Sequence, residues 1–174
     1  MNQKREKTTI AVLFLLYIAL MLYLLFFYRI HHGTAWLSAE AQEQGYWQTV
    51  RNHTNLKPFE TVALFARHFR HTRQIFGFSF INLAGNVILF VPFGLFLPHY
   101  FQPLQKPHHF IKIMSLLIIA VEVTQIATLT GTCDIDDFIL NTAGGCIGFL
   151  LFHMIHLLKE RNFYGNTRPE YSEN

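Results

Sequence analysis

Residues 9–28 read TIAVLFLLYIALMLYLLFFY, and this stretch decides the fold because it contains no charged residue. An α-helix needs about 20 apolar residues to cross the roughly 30 Å hydrocarbon core of a bilayer. A helix of a soluble bundle would instead place polar residues at every third or fourth position, on the face turned to water. The stretch lacks that pattern, which indicates a transmembrane span.

Three later stretches have the same character, and together with the first they predict an all-α, four-helix transmembrane bundle. Only 14% of the 174 residues are charged, against about 25% in an ordinary soluble domain. The three later spans are predicted at Phe78–Leu97, Ile113–Leu129 and Phe138–Leu158. We therefore divide the chain into an N-terminus (1–8), a four-span membrane domain (9–158) and a polar tail (159–174).

The first span follows Lys4, Arg5 and Lys7, an arrangement that also begins a signal peptide. Its apolar run is longer than the roughly 7–15 residues of a signal-peptide core, so we expect a retained anchor. The two cysteines, Cys133 and Cys146, do not imply a disulfide framework. No basic motif predicts a nucleic-acid partner.

The distribution of basic residues predicts the orientation of the spans. Lys and Arg favour the cytoplasmic side. They occur before the first span, between the second and third spans and after the fourth, whereas the third connection is acidic and has none. Both termini are therefore expected in the cytoplasm and the acidic connection outside. Residues 29–77 are also expected outside, despite their basic residues, because the rule weakens as connections lengthen.

The stretch TGTCDIDDFILNTAGG, residues 130–145, places three aspartates directly before the fourth span. In the predicted topology, amide and acidic residues of the other spans lie at the same outer depth. Ionisable residues inside a membrane normally face the bundle interior or a water-filled cavity. We therefore predict an outer polar pocket that uses Asn82, Asn86, Glu122, Gln125, Asp134, Asp136, Asp137 and Asn141 for binding.

Several of these residues also have a structural interpretation. Asp134 can cap the fourth helix, with Asp137 completing a capping box. Asn82 and Asn86 can bind helix to helix. Neither interpretation accounts for Glu122. The carboxylates of Asp134 and Asp137 also suit a divalent cation, but the spacing is not that of a calcium loop, so we expect no cofactor.

Small residues and prolines mark the places where helices bend or approach each other. Pro92 and Gly94 are expected to kink or loosen the second span and to open a cavity there. Gly144 and Gly148 form a GxxxG pair, and Gly145 extends the same narrow surface, which predicts close helix packing.

The first connection contains NLKPFETVALFARHFRH, residues 55–71, in which a turn ending at Pro58 precedes a helical pattern. Apolar side chains recur at helical spacing, and Arg67, Arg70 and Arg73 supply cations. Two interpretations stay open. The segment is either a packed connecting helix or a helix that lies in the membrane interface, with its cations on anionic headgroups.

Four blocks of this sequence resemble the VanZ-like family over roughly residues 12–158. The blocks are NLKPF (55–59), NLAGNVILFVPFGLFLP (82–98), EVTQ (122–125) and DIDDFILNTAGGCIGF (134–149). The resemblance implies an integral membrane protein of the bacterial cell envelope, in a family whose founding member is associated with reduced susceptibility to the lipid-bearing glycopeptide teicoplanin. The family's shared positions fall here on Asn55, Pro58, Asn86, Pro92, Gly94, Glu122, Gln125, Asp134, Asp137, Asn141, Gly144 and Gly145.

The outer pocket and the resemblance together favour a protein that binds an envelope amphiphile and contributes to glycopeptide resistance. Its expected partners are a membrane lipid, a lipid-linked wall precursor or a lipoglycopeptide. The alternative is an intramembrane enzyme that modifies a lipid-linked envelope substrate, with Glu122 as general acid or base. A small transporter is a third hypothesis. Many transporters are built from inverted repeats, and the absence of one in this sequence counts against it.

Overall fold

A computed structural model describes residues 2–29, 34–72 and 78–166, with the side chains of 5, 8–29, 34–64, 66–67 and 83–161. Helix α1 (Asn2–Leu22) continues into a π-helical turn (Tyr23–Tyr28). The elements that follow are α2 (Ala35–Gln44), α3 (Tyr46–Asn52), β1 (Thr54–Asn55), α4 (Glu60–Thr72), α5 (Phe78–Tyr100), a 3-10 turn (Gln102–Gln105), α6 (Pro107–Ala127), β2 (Cys133–Asp134) and α7 (Ile135–Asn166).

The prediction of an all-α protein with four spans is confirmed. Within the described residues, four helical segments are long and apolar enough to cross a membrane: Thr8–Tyr28, Leu83–Tyr100, Pro107–Ala127 and Ile135–Arg161. Large apolar side chains such as Leu15 and Ile88 are about two-thirds exposed on these helices. Such surfaces suit hydrocarbon as the surrounding solvent.

The helices of the third and fourth spans begin earlier than predicted, and α6 ends at Ala127, two residues before the predicted end at Leu129. Helix α6 begins at Pro107 rather than Ile113, because proline is well tolerated in the first turn of a helix. Helix α7 begins at Ile135 rather than Phe138, so two of the aspartates belong to its first turn. It also continues through Asn166, so the first part of the predicted tail is helical.

Helices α5 and α7 pack with their backbones in direct contact. A Cβ atom built on Gly148 would lie 1.9 Å from the carbonyl oxygen of Val91, and one on Gly144 would lie 2.1 Å from that of Val87. Gly94 takes part from the other side, since its Cβ would lie 2.0 Å from the carbonyl oxygen of Gly145. Gly94 was expected to loosen the second span. It instead takes part in the close approach of α5 and α7.

Helices α1 and α6 pack against this pair and complete the bundle. Helix α6 buries Phe110, Met114 and Ile118 in one core cluster with residues of α5 and α7. Helix α1 packs on α5 through aromatic rings, including those of Tyr17 and Phe93, whose centroids are 5.5 Å apart. These contacts fix which ends of the four helices lie together.

A two-residue parallel sheet, which was not predicted from the sequence, ties the first connection to the start of α7. Thr54 pairs with Cys133, and Asn55 pairs with Asp134. The Cys133 N–H also donates to the His53 carbonyl at 3.1 Å. The predicted helix of the first connection is present as α4, and the sheet brings its first turn beside α7. Its placement in the membrane interface stays a prediction.

Candidate functional site

Four helix ends meet at one end of the bundle, which we call the acidic end because α7 begins there with aspartates. Helices α1 and α6 finish at this end, whereas α5 and α7 start from it. The predicted polar residues of the separate spans are therefore brought to a common level. The three aspartates are directed toward different partners, however, and each must be considered separately.

Asp134 caps α7 and also holds the first connection. Its Oδ1 atom accepts the backbone N–H of Asp136 at 2.9 Å, which confirms the capping interpretation. Its Oδ2 atom accepts the hydroxyl of Thr61 at 2.5 Å, and the Asn55 amide lies 3.5 Å from Oδ1. The carboxylate is thus occupied by protein donors on both oxygens.

Asp136 caps a different helix from the one that carries it. Its side chain accepts the backbone N–H groups of Phe59 at 2.5 Å, Thr61 at 2.9 Å and Val62 at 3.2 Å, all at the start of α4. The first N–H groups of a helix lack internal partners and carry partial positive charge, so a carboxylate there is favourable. Asp136 is only 1% exposed. Its role is to fix α4 against α7.

Phe59 adopts a left-handed backbone conformation to reach this carboxylate. Its φ is +64°, which is uncommon for a residue other than glycine. The turn before it is closed by Asn55, whose Oδ1 accepts the Lys57 N–H at 3.1 Å. Pro58 precedes Phe59 within the turn. The NLKPF block therefore forms a turn that directs backbone N–H groups toward Asp136.

Asp137 faces the bundle interior and joins three helices. Its Oδ1 accepts the Asn86 side-chain amide at 2.5 Å, and its Oδ2 lies 3.9 Å from Nη2 of Arg29. Asp137 and Asn86 are both buried. Asp137 therefore does not complete a capping box with Asp134, because its oxygens are directed at α5 and at the end of the first span.

Glu122 and Gln125 approach the same interior from α6. The Gln125 amide donates to the Leu25 carbonyl in the π-helical turn at 3.1 Å, and Gln125 is fully buried. Glu122 interacts electrostatically with Asp137 and Arg29. Its Oε2 atom is buried and has no hydrogen-bond partner among the described residues. One carboxylate oxygen in this interior thus has unused hydrogen-bonding capacity.

Asn141 lies one turn along α7 from Asp137 and is 2% exposed. Its Oδ1 atom has no hydrogen-bond partner within the described part of the chain, and the same holds for the neighbouring Thr142 hydroxyl. The Asn82 side chain lies outside the described residues. We use the name interior cluster for Arg29, Asn86, Glu122, Gln125, Asp137 and Asn141.

The structure therefore divides the predicted pocket in two. Asp134 and Asp136 hold the first connection, whereas the other described members lie in the interior cluster. Sequence reasoning missed Arg29, which was considered only as one of the basic residues of the first connection. A cation directly after an uncharged span, on the side of the acidic connection, was the signal that could have identified it. Thr61 was also missed, and no local pattern marks it.

The carboxylates and the Cys133 thiol at the acidic end are residue types that can bind a metal ion or act as a nucleophile. No group of three or more His, Cys, Asp or Glu side chains in residues 2–29, 34–72 and 78–166 is placed to hold a metal ion. Burial, assisted by the nearby carboxylates of Glu122 and Asp134, raises the pKa of the Cys133 thiol. The thiol therefore stays protonated near neutral pH and is a poor nucleophile.

Comparison with known proteins agrees with the sequence resemblance. The VanZ/LLP1 family model matches residues 14–156. The chain is 35% identical over 74 residues to Protein VanZ of Enterococcus faecium. That stretch is 42% of this chain and 45% of the relative, so the match spans less than half of the relative's length. No solved structure matches the chain.

Proposed function

This chain belongs to the VanZ-like family and is a multi-pass membrane protein, and on that premise we propose that it binds an envelope amphiphile at its acidic end. The amphiphile is a membrane lipid, a lipid-linked wall precursor or a lipoglycopeptide. In this proposal the protein lies in the bacterial cytoplasmic membrane with both termini inside and the acidic end outside. Binding there would contribute to glycopeptide resistance, as the name of the family suggests.

The observation that carries the proposal is the unused hydrogen-bonding capacity of the interior cluster. Glu122 Oε2 and Asn141 Oδ1 are buried acceptors without partners among the described residues. Leaving a buried polar group unpaired costs about 1–3 kcal/mol, so native proteins seldom retain one without a reason. Hydroxyl or amide donors of a bound ligand would satisfy these acceptors, and wall precursors and glycopeptides carry both groups.

The flanks of the cluster suit the apolar part of such a ligand. Leu22, Tyr23 and Phe27, near the end of the first span, are exposed. They lie close in sequence to Arg29, which contacts Asp137. An acyl chain along this surface would stay in hydrocarbon while a polar group reached the cluster. This arrangement predicts a preference for ligands with a lipid tail.

We therefore expect expression of the protein to reduce surface accumulation of a lipid-tailed glycopeptide more than that of a tail-less one. Fluorescently labelled teicoplanin and vancomycin, measured per cell with and without the protein, provide the comparison. Asn141→Leu keeps the side-chain size but removes the unpaired acceptor, so it should weaken the effect at equal membrane abundance. Equal reduction of both compounds by the wild-type protein would refute a role for the tail.

A second candidate function is favoured by Glu122 in particular. A carboxyl group within a span, with one buried oxygen unpaired and with Asp137 and Arg29 acting on it electrostatically, is suited to hold and transfer a proton. In this alternative the protein is an intramembrane enzyme, and Glu122 is the general acid or base for a lipid-linked envelope substrate.

Glu122→Gln tests the enzyme alternative, because it keeps the shape of the side chain and one acceptor oxygen but removes proton transfer. If the protein is an enzyme, we expect about a 100-fold or greater loss of its product, since general acid–base catalysis contributes about 10²–10⁴-fold. Mass spectrometry of envelope lipids and glycans, from cells with and without each variant, measures that product. An unchanged envelope profile with Glu122→Gln eliminates Glu122 as the acid–base group.

A further inference from the structure

A groove lies outside the interior cluster, in the connection between the first and second spans. Its volume is about 860 Å³, and its walls are the end of α3, residues 54–57 and the first two turns of α4. Asp136 and the β1–β2 pairing hold these walls against α7. The groove therefore lies at the acidic end, next to the level at which the spans leave the hydrocarbon.

The charged side chains of the groove are predominantly cationic. Arg51, Lys57 and Arg67 line it together with a single carboxylate, Glu60. Glu60 pairs with Lys57 at 3.9 Å. In the part of the chain that the structure describes, no ion pair forms at Arg51 or Arg67, and both are exposed. Two guanidinium groups from different helices thus line one groove without an ion-pair partner among the described residues.

Two leucines of the same groove are unusually accessible. Leu56 and Leu64 are each 67% exposed, although they adjoin the cations. A free anion such as inorganic phosphate would use the guanidinium groups and leave the leucines in water. An anionic lipid would use both, because guanidinium groups bind phosphate through paired hydrogen bonds while acyl chains cover apolar side chains.

We propose that this groove binds an anionic phospholipid of the surrounding leaflet. The phosphate lies between Arg51 and Arg67, and the upper acyl chains pass along Leu56 and Leu64. The site uses none of the interior cluster, so it does not depend on the function proposed above. It also gives α4 a membrane contact of defined chemistry, since the helix is fixed to the bundle at its start and held to lipid along its exposed side.

Lipid binding to the full-length protein in a neutral detergent tests this proposal. Phosphatidylglycerol and phosphatidylcholine are titrated separately, and native mass spectrometry counts the bound molecules. The Arg51→Gln/Arg67→Gln double variant should bind phosphatidylglycerol about 30-fold more weakly, since each basic residue near a membrane surface contributes about 1 kcal/mol. The matched control is Lys112→Gln/Arg161→Gln, which removes two exposed cations far along the chain from the groove.

The outcomes are distinct. Weakening confined to the groove variant supports the site, whereas equal weakening in the control variant shows diffuse attraction and overturns it. Unchanged binding in the groove variant also overturns it. The wild-type protein provides a test that needs no substitution: it should prefer phosphatidylglycerol over phosphatidylcholine, and equal affinity for the two lipids would contradict the proposed phosphate contact. Failure of this site would leave the glycopeptide experiment unaffected.

Discussion

Replacing Asp136 with alanine is expected to release the start of α4 from the bundle. Three backbone N–H groups, those of Phe59, Thr61 and Val62, donate to this one buried carboxylate. Each unsatisfied donor costs about 1–3 kcal/mol, although part of that cost is recovered when the freed turn meets water. We expect the local opening free energy to fall by about 3 kcal/mol, which corresponds to about 100-fold faster amide exchange.

Hydrogen–deuterium exchange of the purified full-length protein measures this release. Faster exchange should be confined to peptides that cover residues 54–64, while the buried core around Met114 stays protected. Glu60→Gln is the matched control, because it removes an exposed carboxylate from the same turn and should change stability by less than about 1 kcal/mol. Unaltered exchange across residues 54–64 in Asp136→Ala would show that the contact does not hold α4.

The four spans were predictable because hydrocarbon imposes a strict local requirement on sequence. A span must present an uninterrupted apolar run of sufficient length. Residues 9–28 can therefore be recognised as a span without reference to any other part of the chain. The sequence constrains the ends of helices less strictly than it constrains the apolar run. Pro107 and Ile135 begin their helices next to polar or charged residues in the sequence, and there first-turn preferences, rather than hydropathy, decide the boundary.

The partners of the aspartates could not be predicted, although their common location was. Successive residues of an α-helix point about 100° apart, because each turn contains 3.6 residues. Asp136 and Asp137 are adjacent in sequence but bind α4 and α5 respectively, while Asp134 stays at the cap. Each partner is distant along the chain, so only the packing of the helices determines which donor meets which carboxylate.

For the glycines, too, the sequence pattern predicts the packing surface but not the residue that packs against it. The spacing of Gly144 and Gly148 indicates a surface for close helix packing, as the sequence predicted. It does not indicate that Gly94 faces this surface, and a proline two positions earlier suggested a bend there instead. Two-residue strands such as β1 and β2 are too short to leave any pattern of alternation.

The contact between α5 and α7 leads to the second large effect that we expect, in Gly148→Ala. The new Cβ would lie 1.9 Å from the Val91 carbonyl oxygen and 2.9 Å from the Gly94 Cα atom. Both are backbone atoms, so no side chain can rotate away and the two helices must separate. Overpacking typically costs about 1–3 kcal/mol, and we expect the upper part of that range, seen as a lower thermal unfolding midpoint in detergent.

Gly85→Ala on α5 is the matched control for this measurement of the unfolding midpoint. Among the described residues, and apart from the backbone of its own helix, a Cβ at Gly85 meets no atom within 4 Å, so the same chemical change encounters no steric conflict there. Alanine is favoured over glycine in a helix interior by roughly 0.5–1 kcal/mol, so this variant should unfold at an equal or higher temperature. If Gly148→Ala had the same unfolding midpoint as Gly85→Ala, the helices would have to accommodate the methyl group without cost.

Because the interior cluster spans α1, α5, α6 and α7, a real separation of α5 and α7 should also weaken the glycopeptide effect at equal protein abundance.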